Sequence, residues 1–185
     1  MSEILEPADI FLTRGKGFIS RAIRFFSRGI GEARTQVNHV GIVVEGGGTN
    51  EAVVVEALSR VFRHRLAEQY GGGVDEVAVF RPLNLTPDEL TAVVAKAESY
   101  VGRKYGYFKI VLHFLDWLLL GAYVFRRLGR MDRYPICSWL VAHAYKAAGK
   151  RFGVAPGAST PDDIWDFVTH RTDIYQQIRP LKPLT

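Results

Sequence analysis

The sequence predicts an α+β fold in which one antiparallel sheet packs against helices. Strand-like runs fall mainly in the first half of the chain, and the second half is mostly helical, so the two kinds of element form separate blocks. Glycine-rich breaks at 46–48 and 71–73 separate successive strands, as is typical of hairpin connections. The 185 residues show no internal repeat and no proline- and serine-rich linker, which indicates a single domain over 1–185.

The predicted strands are short runs rich in β-branched and aromatic residues. They cover 9–13, 37–44, 52–57, 76–81 and 173–178. The glycines at 46–48 lack the Gly-Lys-Ser/Thr ending of a phosphate-binding loop, so we expect a hairpin turn there.

The predicted helices carry clear start and stop signals. Apolar residues recur at helical spacing between arginines over 17–29. A capping box with proline at the first helical position opens a helix at 87, which we expect to end at Gly102. A third helix begins near Cys137 and runs to 149, and a Thr-Pro-Asp-Asp cap opens the last one, 161–170.

An apolar helical insertion is predicted at about 106–133, with its most apolar part at 108–125. Lys109, His113 and Asp116 interrupt that part, and an arginine cluster follows it. Because charges are costly inside a bilayer, we expect a buried or interfacial helix rather than a transmembrane span. The insertion could serve as a peripheral membrane contact through 108–133, as a cap over the core or as a dimer contact. The sequence does not decide among these roles or fix the oligomeric state.

Composition excludes several classes of protein. The hydrophobic fraction of 48% rules out disorder over most of the length, and the single cysteine rules out a disulfide framework. The N-terminus lacks the basic and apolar regions of a signal peptide, so a cytoplasmic protein is expected. The formal charge of +5 favours anionic surfaces. The arginines follow amphipathic-helix spacing and form no recognised nucleic-acid motif, so no nucleic-acid partner is expected.

Cys137 is a candidate nucleophile because it lies at the expected first turn of a helix. Unpaired amide N–H groups and the helix dipole there favour a thiolate, and the same amides could donate to an oxyanion. The alternative is a small buried hydrophobic residue, which is the commoner role of a lone cysteine.

His39 is the candidate base, and Glu56 is its candidate partner. His39 interrupts an otherwise apolar strand, and a carboxylate within the β-branched run around Glu56 is costly unless it is paired. If the two strands are neighbours, Glu56 can accept from one ring nitrogen and leave the other facing Cys137. A hydrogen-bonded core histidine and an exposed carboxylate at a strand edge are the alternatives. His64, among arginines, is interpreted as part of a solvated basic stretch.

A zinc site formed by His39, Glu56, His64 and Cys137 is a further alternative. These residues show no close ligand spacing, so no metal and no organic cofactor are predicted.

Several segments resemble the permuted papain-like cysteine hydrolases of the NlpC superfamily, of the YiiX/YaeF-like type. The main ones are NHVGIVV (38–44), VVEAL (54–58) and ICSWLV (136–141), and PADIF (7–11), VGRKY (101–105) and TPDDI (160–164) add to them. This superfamily joins amidases and peptidases to lecithin–retinol acyltransferase-like enzymes. The resemblance implies a circularly permuted papain-like fold, with Cys137 as nucleophile at a helix N-terminus, His39 as base and Glu56 orienting the base.

We therefore predict a thiol hydrolase that cleaves an amide through an acyl-enzyme. The resemblance implies a cell-wall-type peptide or an N-acyl amino acid as substrate, and Tyr105, Asn38 and Ser138 are the predicted substrate-binding residues. One alternative is a lipid acyl hydrolase or acyltransferase at a membrane surface, which the apolar segment 108–125 would suit. The other is a non-catalytic binding or structural protein.

Overall fold

A six-stranded antiparallel sheet forms the centre of the protein. The computed structural model describes residues 3–15, 36–104 and 136–184. The strands in these ranges are β1 (Ile4–Leu5), β2 (Ile10–Arg14), β3 (His39–Glu45), β4 (Gly47–Gly48), β5 (Val53–Ala57), β6 (Val61–Arg65), β7 (Glu76–Pro82) and β8 (Tyr175–Pro183). The large sheet has the order β6-β5-β3-β2-β7-β8, and β1 pairs with β4 in a separate ribbon.

The helices of the described ranges are α1 (Leu66–Tyr70), α2 (Pro87–Glu98), α3 (Cys137–Ala147) and α4 (Pro161–His170), and a 3₁₀ turn spans Pro156–Ala158. Both predicted caps are present, because the Thr86 and Thr160 hydroxyls accept from the backbone N–H groups three residues on. Helix α2 ends at Glu98 rather than at Gly102, because the chain tightens there into bonds between residues three apart.

The two faces of the sheet carry separate cores because side chains alternate along each strand. Helices α2, α3 and α4 cover one face, where the sheet contributes Leu12, Val40, Ile42 and Val55. On the opposite face, Phe11, Val43 and Val54 of the sheet form a core with Leu66 and Tyr70 of α1. The predicted α+β class, with antiparallel sheets packed against helices, is therefore confirmed.

Strand β6 and helix α1 depart from the sequence-based prediction, which assigned no element to 61–70. The predicted helix at 17–29 and the apolar insertion at 106–133 lie outside the described residues, so the single-domain organisation stays a prediction. Within the described ranges, every helix is too short or too polar to cross a membrane.

Candidate active site

His39 and Glu56 lie on neighbouring strands, as the sequence predicted. Strand β3 pairs with β5 in a register that sets Gly41 opposite Glu56. His39 precedes Gly41 by two residues and therefore projects from the same face of the sheet. Its ring Nε2–H donates to the Glu56 carboxylate Oε2. The pairing of the predicted base with the predicted orienting carboxylate is thus present in the structure.

Cys137 is the first residue of α3, and the N-terminus of this helix lies beside His39, the first residue of β3. The His39 ring and the backbone N–H groups of Ser138 and Val40 lie within hydrogen-bonding reach of the sulfur, and all three favour its thiolate. Because Glu56 occupies Nε2 of His39, Nδ1 is the ring nitrogen left for the sulfur. The structure therefore brings Cys137, His39 and Glu56 together in one hydrogen-bonded row.

The opposite charges in this row offset the free-energy cost of burying charged groups. Burial alone disfavours the thiolate, but the neighbouring His39 imidazolium lowers the pKa of Cys137 below its ordinary value. Burial likewise disfavours a charged imidazole, yet Cys137 and Glu56 raise the pKa of His39 to about 10. The result favours a thiolate–imidazolium pair at neutral pH.

Glu56 is fully buried and accepts three hydrogen bonds. Besides His39, the Tyr70 hydroxyl donates to Oε2 at 2.6 Å, and His64 Nε2–H donates to Oε1 at 2.7 Å. Burial opposes the carboxylate charge, but His39 and the other donors lower the pKa of Glu56 to about 2. Burial and the charge of Glu56 raise the pKa of Tyr70, so its hydroxyl keeps the proton that it donates.

His64 is a member of this site that the sequence-based interpretation missed. The assignment to a solvated basic stretch is wrong, because the side chain is only 16% exposed and contacts Glu56. Strand β6 sets His64 opposite Val54, on the face of the sheet that also carries Glu56. The exposed Arg63 and Arg65 on either side made the segment resemble a solvated basic stretch. Charged residues are, however, also common on edge strands.

The three predicted substrate-binding residues have different positions. The Asn38 Oδ1 accepts from the Gly15 N–H at 2.7 Å, and the Ser138 hydroxyl donates to the Ser159 carbonyl at 2.6 Å. Both side chains are buried, and these bonds hold the start of β3 and the N-terminus of α3 in place. Tyr105 lies outside the described residues. Substrate binding by these three residues stays a prediction.

The four residues of the alternative zinc site form a row in the order Cys137, His39, Glu56 and His64. Consecutive members are hydrogen-bonded to each other rather than gathered around a common point. Over the described ranges, no group of three or more His, Cys, Asp or Glu residues is arranged to hold a metal ion.

Comparison with known proteins supports the fold. Neither a protein-family model nor a curated protein sequence matches this chain. Among solved structures, the crystal structure of the metalloprotein YiiX from Escherichia coli O157:H7, DUF1105, is similar, with a TM-score of 0.56 and 17% sequence identity. The alignment covers 96% of this chain and 86% of that one. The chain thus shares the α+β architecture of YiiX.

Proposed function

We propose that this protein is a cysteine hydrolase of the circularly permuted papain-like type that cleaves an amide through an acyl-enzyme on Cys137. The observation that carries the proposal is the hydrogen-bonded row of Cys137, His39 and Glu56 at the N-terminus of α3. The YiiX-like fold and the order of the motifs, with the histidine strand before the cysteine helix, also support it.

In the first half of the reaction, the Cys137 thiolate attacks the amide carbonyl carbon and forms a C–S bond, while the carbonyl π electrons move to oxygen. Backbone N–H groups at the start of α3 would stabilise the oxyanion. His39 then gives its proton to the leaving nitrogen, the oxyanion electrons re-form the C=O bond as the C–N bond breaks, and the amine departs. The product of this half is a thioester on Cys137.

In the second half, neutral His39 takes a proton from a water molecule, and the hydroxide attacks the thioester carbonyl. The C–S bond breaks, the acid leaves, and the thiolate–imidazolium pair is restored. Glu56 holds the His39 ring in one tautomer and orientation and stabilises its positive charge in both halves. The substrate class follows the resemblance, which favours a cell-wall-type peptide or an N-acyl amino acid.

A second candidate function is lipid acyl hydrolysis or acyl transfer at a membrane surface. The apolar segment 108–125 and the arginine cluster after it favour this candidate, because an acyl chain needs an apolar partner and anionic lipid attracts cations. The same Cys137 thioester would form, and a hydroxyl or amine acceptor would replace water in the acyltransferase variant.

A metal ion has no step in this mechanism. YiiX is described as a metalloprotein, which raises the question of whether this site suits a metal. Both Glu56 oxygens accept from N–H or O–H donors, and His39 Nε2 and His64 Nε2 carry two of those protons. A metal ion bound by these atoms would have to replace the protons that His39, His64 and Tyr70 donate to Glu56, so the described residues do not fit one at this site.

The test is acyl-enzyme trapping on Cys137. The protein is incubated with peptides, N-acyl amino acids and phospholipids, quenched in acid, and analysed by intact mass, with Cys137→Ala as control. We expect an acyl adduct on the native protein that hydroxylamine removes and that the variant lacks. The mass of the acyl group distinguishes an amidase from a lipid enzyme. If no class of substrate gives an adduct or turnover, the proposal is contradicted and a binding or structural role is favoured.

A further inference from the structure

We propose that His64 is a positioning residue that carries a second imidazolium in the site, compensates the charge of Glu56 and thereby favours the thiolate of Cys137. This inference rests on the proposed function only in taking Cys137 as the nucleophile. The geometry that points to it is a row of four groups, in which Glu56 lies between two histidine rings.

The two contacts of the His64 ring require two N–H groups. Nδ1 lies 3.0 Å from the carbonyl oxygen of Arg65, and Nε2 lies 2.7 Å from Glu56 Oε1. A carbonyl oxygen and an ionised carboxylate only accept hydrogen bonds, whereas a neutral imidazole has a single N–H. A neutral His64 would therefore direct a lone pair at one of the two oxygens. The imidazolium satisfies both contacts.

The proton between His64 and Glu56 belongs on the imidazole. Glu56 Oε2 already accepts from His39 and from the Tyr70 hydroxyl, and donors of this kind stabilise the carboxylate over the neutral acid. The hydrogen bond to Glu56 also raises the pKa of His64 above its ordinary value, against the effect of partial burial.

The four groups then have no net charge. The thiolate of Cys137 and the carboxylate of Glu56 are matched by the imidazolium ions of His39 and His64. Without the charge on His64, the buried cluster has an excess negative charge, and that excess disfavours the thiolate. Electrostatic effects are strong here because Glu56 is fully buried, so water screens its charge little.

Other charged and titratable groups also face His64. Helix α1 contributes the carboxylate of Glu68, which acts on His64 directly, and the phenol of Tyr70, which shares the Glu56 carboxylate with His64. Glu68 favours the protonated form of His64, as Glu56 does. The His64 side chain is 16% exposed and can therefore exchange its proton with water, whereas Glu56 has no exposure. High pH therefore removes the compensating charge through His64.

The test is a thiolate titration by ultraviolet absorbance near 240 nm. Cys137 is the only cysteine in the chain, so subtracting the Cys137→Ala spectrum isolates its signal. His64→Gln keeps an N–H donor but loses the charge. We expect the midpoint of its Cys137 titration to rise by about one pH unit, which is a ~10-fold loss of thiolate below the midpoint. A shift of this size is expected for the loss of one charge acting over about 10 Å at an effective dielectric constant of about 20.

Two further variants separate charge from structure. His64→Lys keeps the positive charge, and we expect it to restore the midpoint of the native protein. Arg63→Gln is the matched control: it removes a charge from the same strand, but Arg63 pairs with Glu45 and Glu98 at the surface, and solvent screens those pairs. We expect its midpoint to equal that of the native protein.

A second measurement uses the native protein and does not depend on the folding of a variant. Nitrogen NMR of ¹⁵N-histidine-labelled protein reports the protonation of each ring, and we expect both His64 nitrogens to be protonated at pH 7. A folded His64→Gln protein with an unshifted midpoint, or a neutral His64 ring at pH 7, would overturn the inference. An ordinary thiol midpoint in the native protein would instead count against the proposed function, so the two failures are distinguishable.

Discussion

Gly41 lies directly opposite Glu56 in the pairing of β3 with β5, and its lack of a side chain makes room for the ring of Phe11. A Cβ atom at Gly41 would lie 2.4 Å from Phe11 Cε1 and 3.0 Å from Glu56 Cβ. The Phe11 ring in turn packs against the rings of His39 and Tyr70, at centroid distances of 6.5 and 5.8 Å. Gly41 thus allows an aromatic ring to pack beside the buried carboxylate and two of its donors.

Gly41→Ala should therefore destabilise the protein by about 1–3 kcal/mol, the usual cost of overpacking a core. Phe11 has to move to accept the methyl group, and the His39 ring beside it moves as well. Urea denaturation measures the loss. Gly72→Ala is the matched control, because a Cβ there meets no atom within 4 Å, and we expect it to leave stability unchanged. Equal stability of the two variants would contradict the packing of Phe11 beside Gly41.

Tyr70→Phe should weaken the site without unfolding it. The variant removes one of the three donors to Glu56, so we expect a loss of about 0.5–1.5 kcal/mol in the free energy of unfolding and an altered pH profile of Cys137 alkylation. Tyr145→Phe is the control, because the Tyr145 hydroxyl donates to the Ala8 carbonyl at 2.6 Å, away from Glu56. Tyr145→Phe should lower the free energy of unfolding by a similar amount but leave the pH profile of Cys137 alkylation unchanged. Identical profiles in both variants would argue against a role for Tyr70 in the site.

Glu56→Gln should keep the fold but lower activity. The carboxamide can direct an N–H group at the His39 N–H, which disfavours the tautomer and the imidazolium that the mechanism needs. We expect a loss of about 10²–10⁴-fold in kcat/KM, smaller than that of Cys137→Ala, because an orienting group contributes less than the nucleophile. The measurement is turnover of the substrate that acylates Cys137. Full activity of this variant would assign the orienting role to another group.

Stability should fall in acid because of Glu56. Its pKa in the folded protein is about 2, below the ordinary 4.5, so its contribution is complete above about pH 4.5 and is lost as the pH falls towards 2. That difference corresponds to about 3 kcal/mol at ~1.4 kcal/mol per pKa unit. Urea midpoints between pH 6 and pH 2 measure the effect. The stability gap between the native protein and Glu56→Gln should narrow over this range; a constant gap would contradict the ionised state of Glu56.

The parts of the fold with strong local signals could be predicted from the sequence. The capping residues Thr86 and Thr160 begin their helices as expected, because a side-chain acceptor for the free N–H groups is a local feature. The pairing of His39 with Glu56 was also predictable, since a carboxylate within a run of valines needs a partner.

The contributions of β6 and α1 could not be predicted in the same way. Strand β6 carries Phe62, Arg63 and Arg65 on its exposed positions, so only its pairing with β5 shows that it is a strand. Helix α1 has five residues, too few to be stable alone, and tertiary packing fixes it in place. The donors from His64 and Tyr70 to Glu56 therefore depend on register and packing, for which the sequence has no local signal.

The pH dependence of Cys137 alkylation tests the account most directly. Iodoacetamide reacts with the thiolate, and intact mass reports the labelling of the single cysteine. Because the His39 imidazolium lowers the pKa of Cys137, we expect the native protein to be labelled readily near pH 6 and His39→Ala to be labelled much more slowly there. If the native protein is labelled only above about pH 8, as an ordinary thiol is, the thiolate–imidazolium pair and the proposed hydrolase are both contradicted.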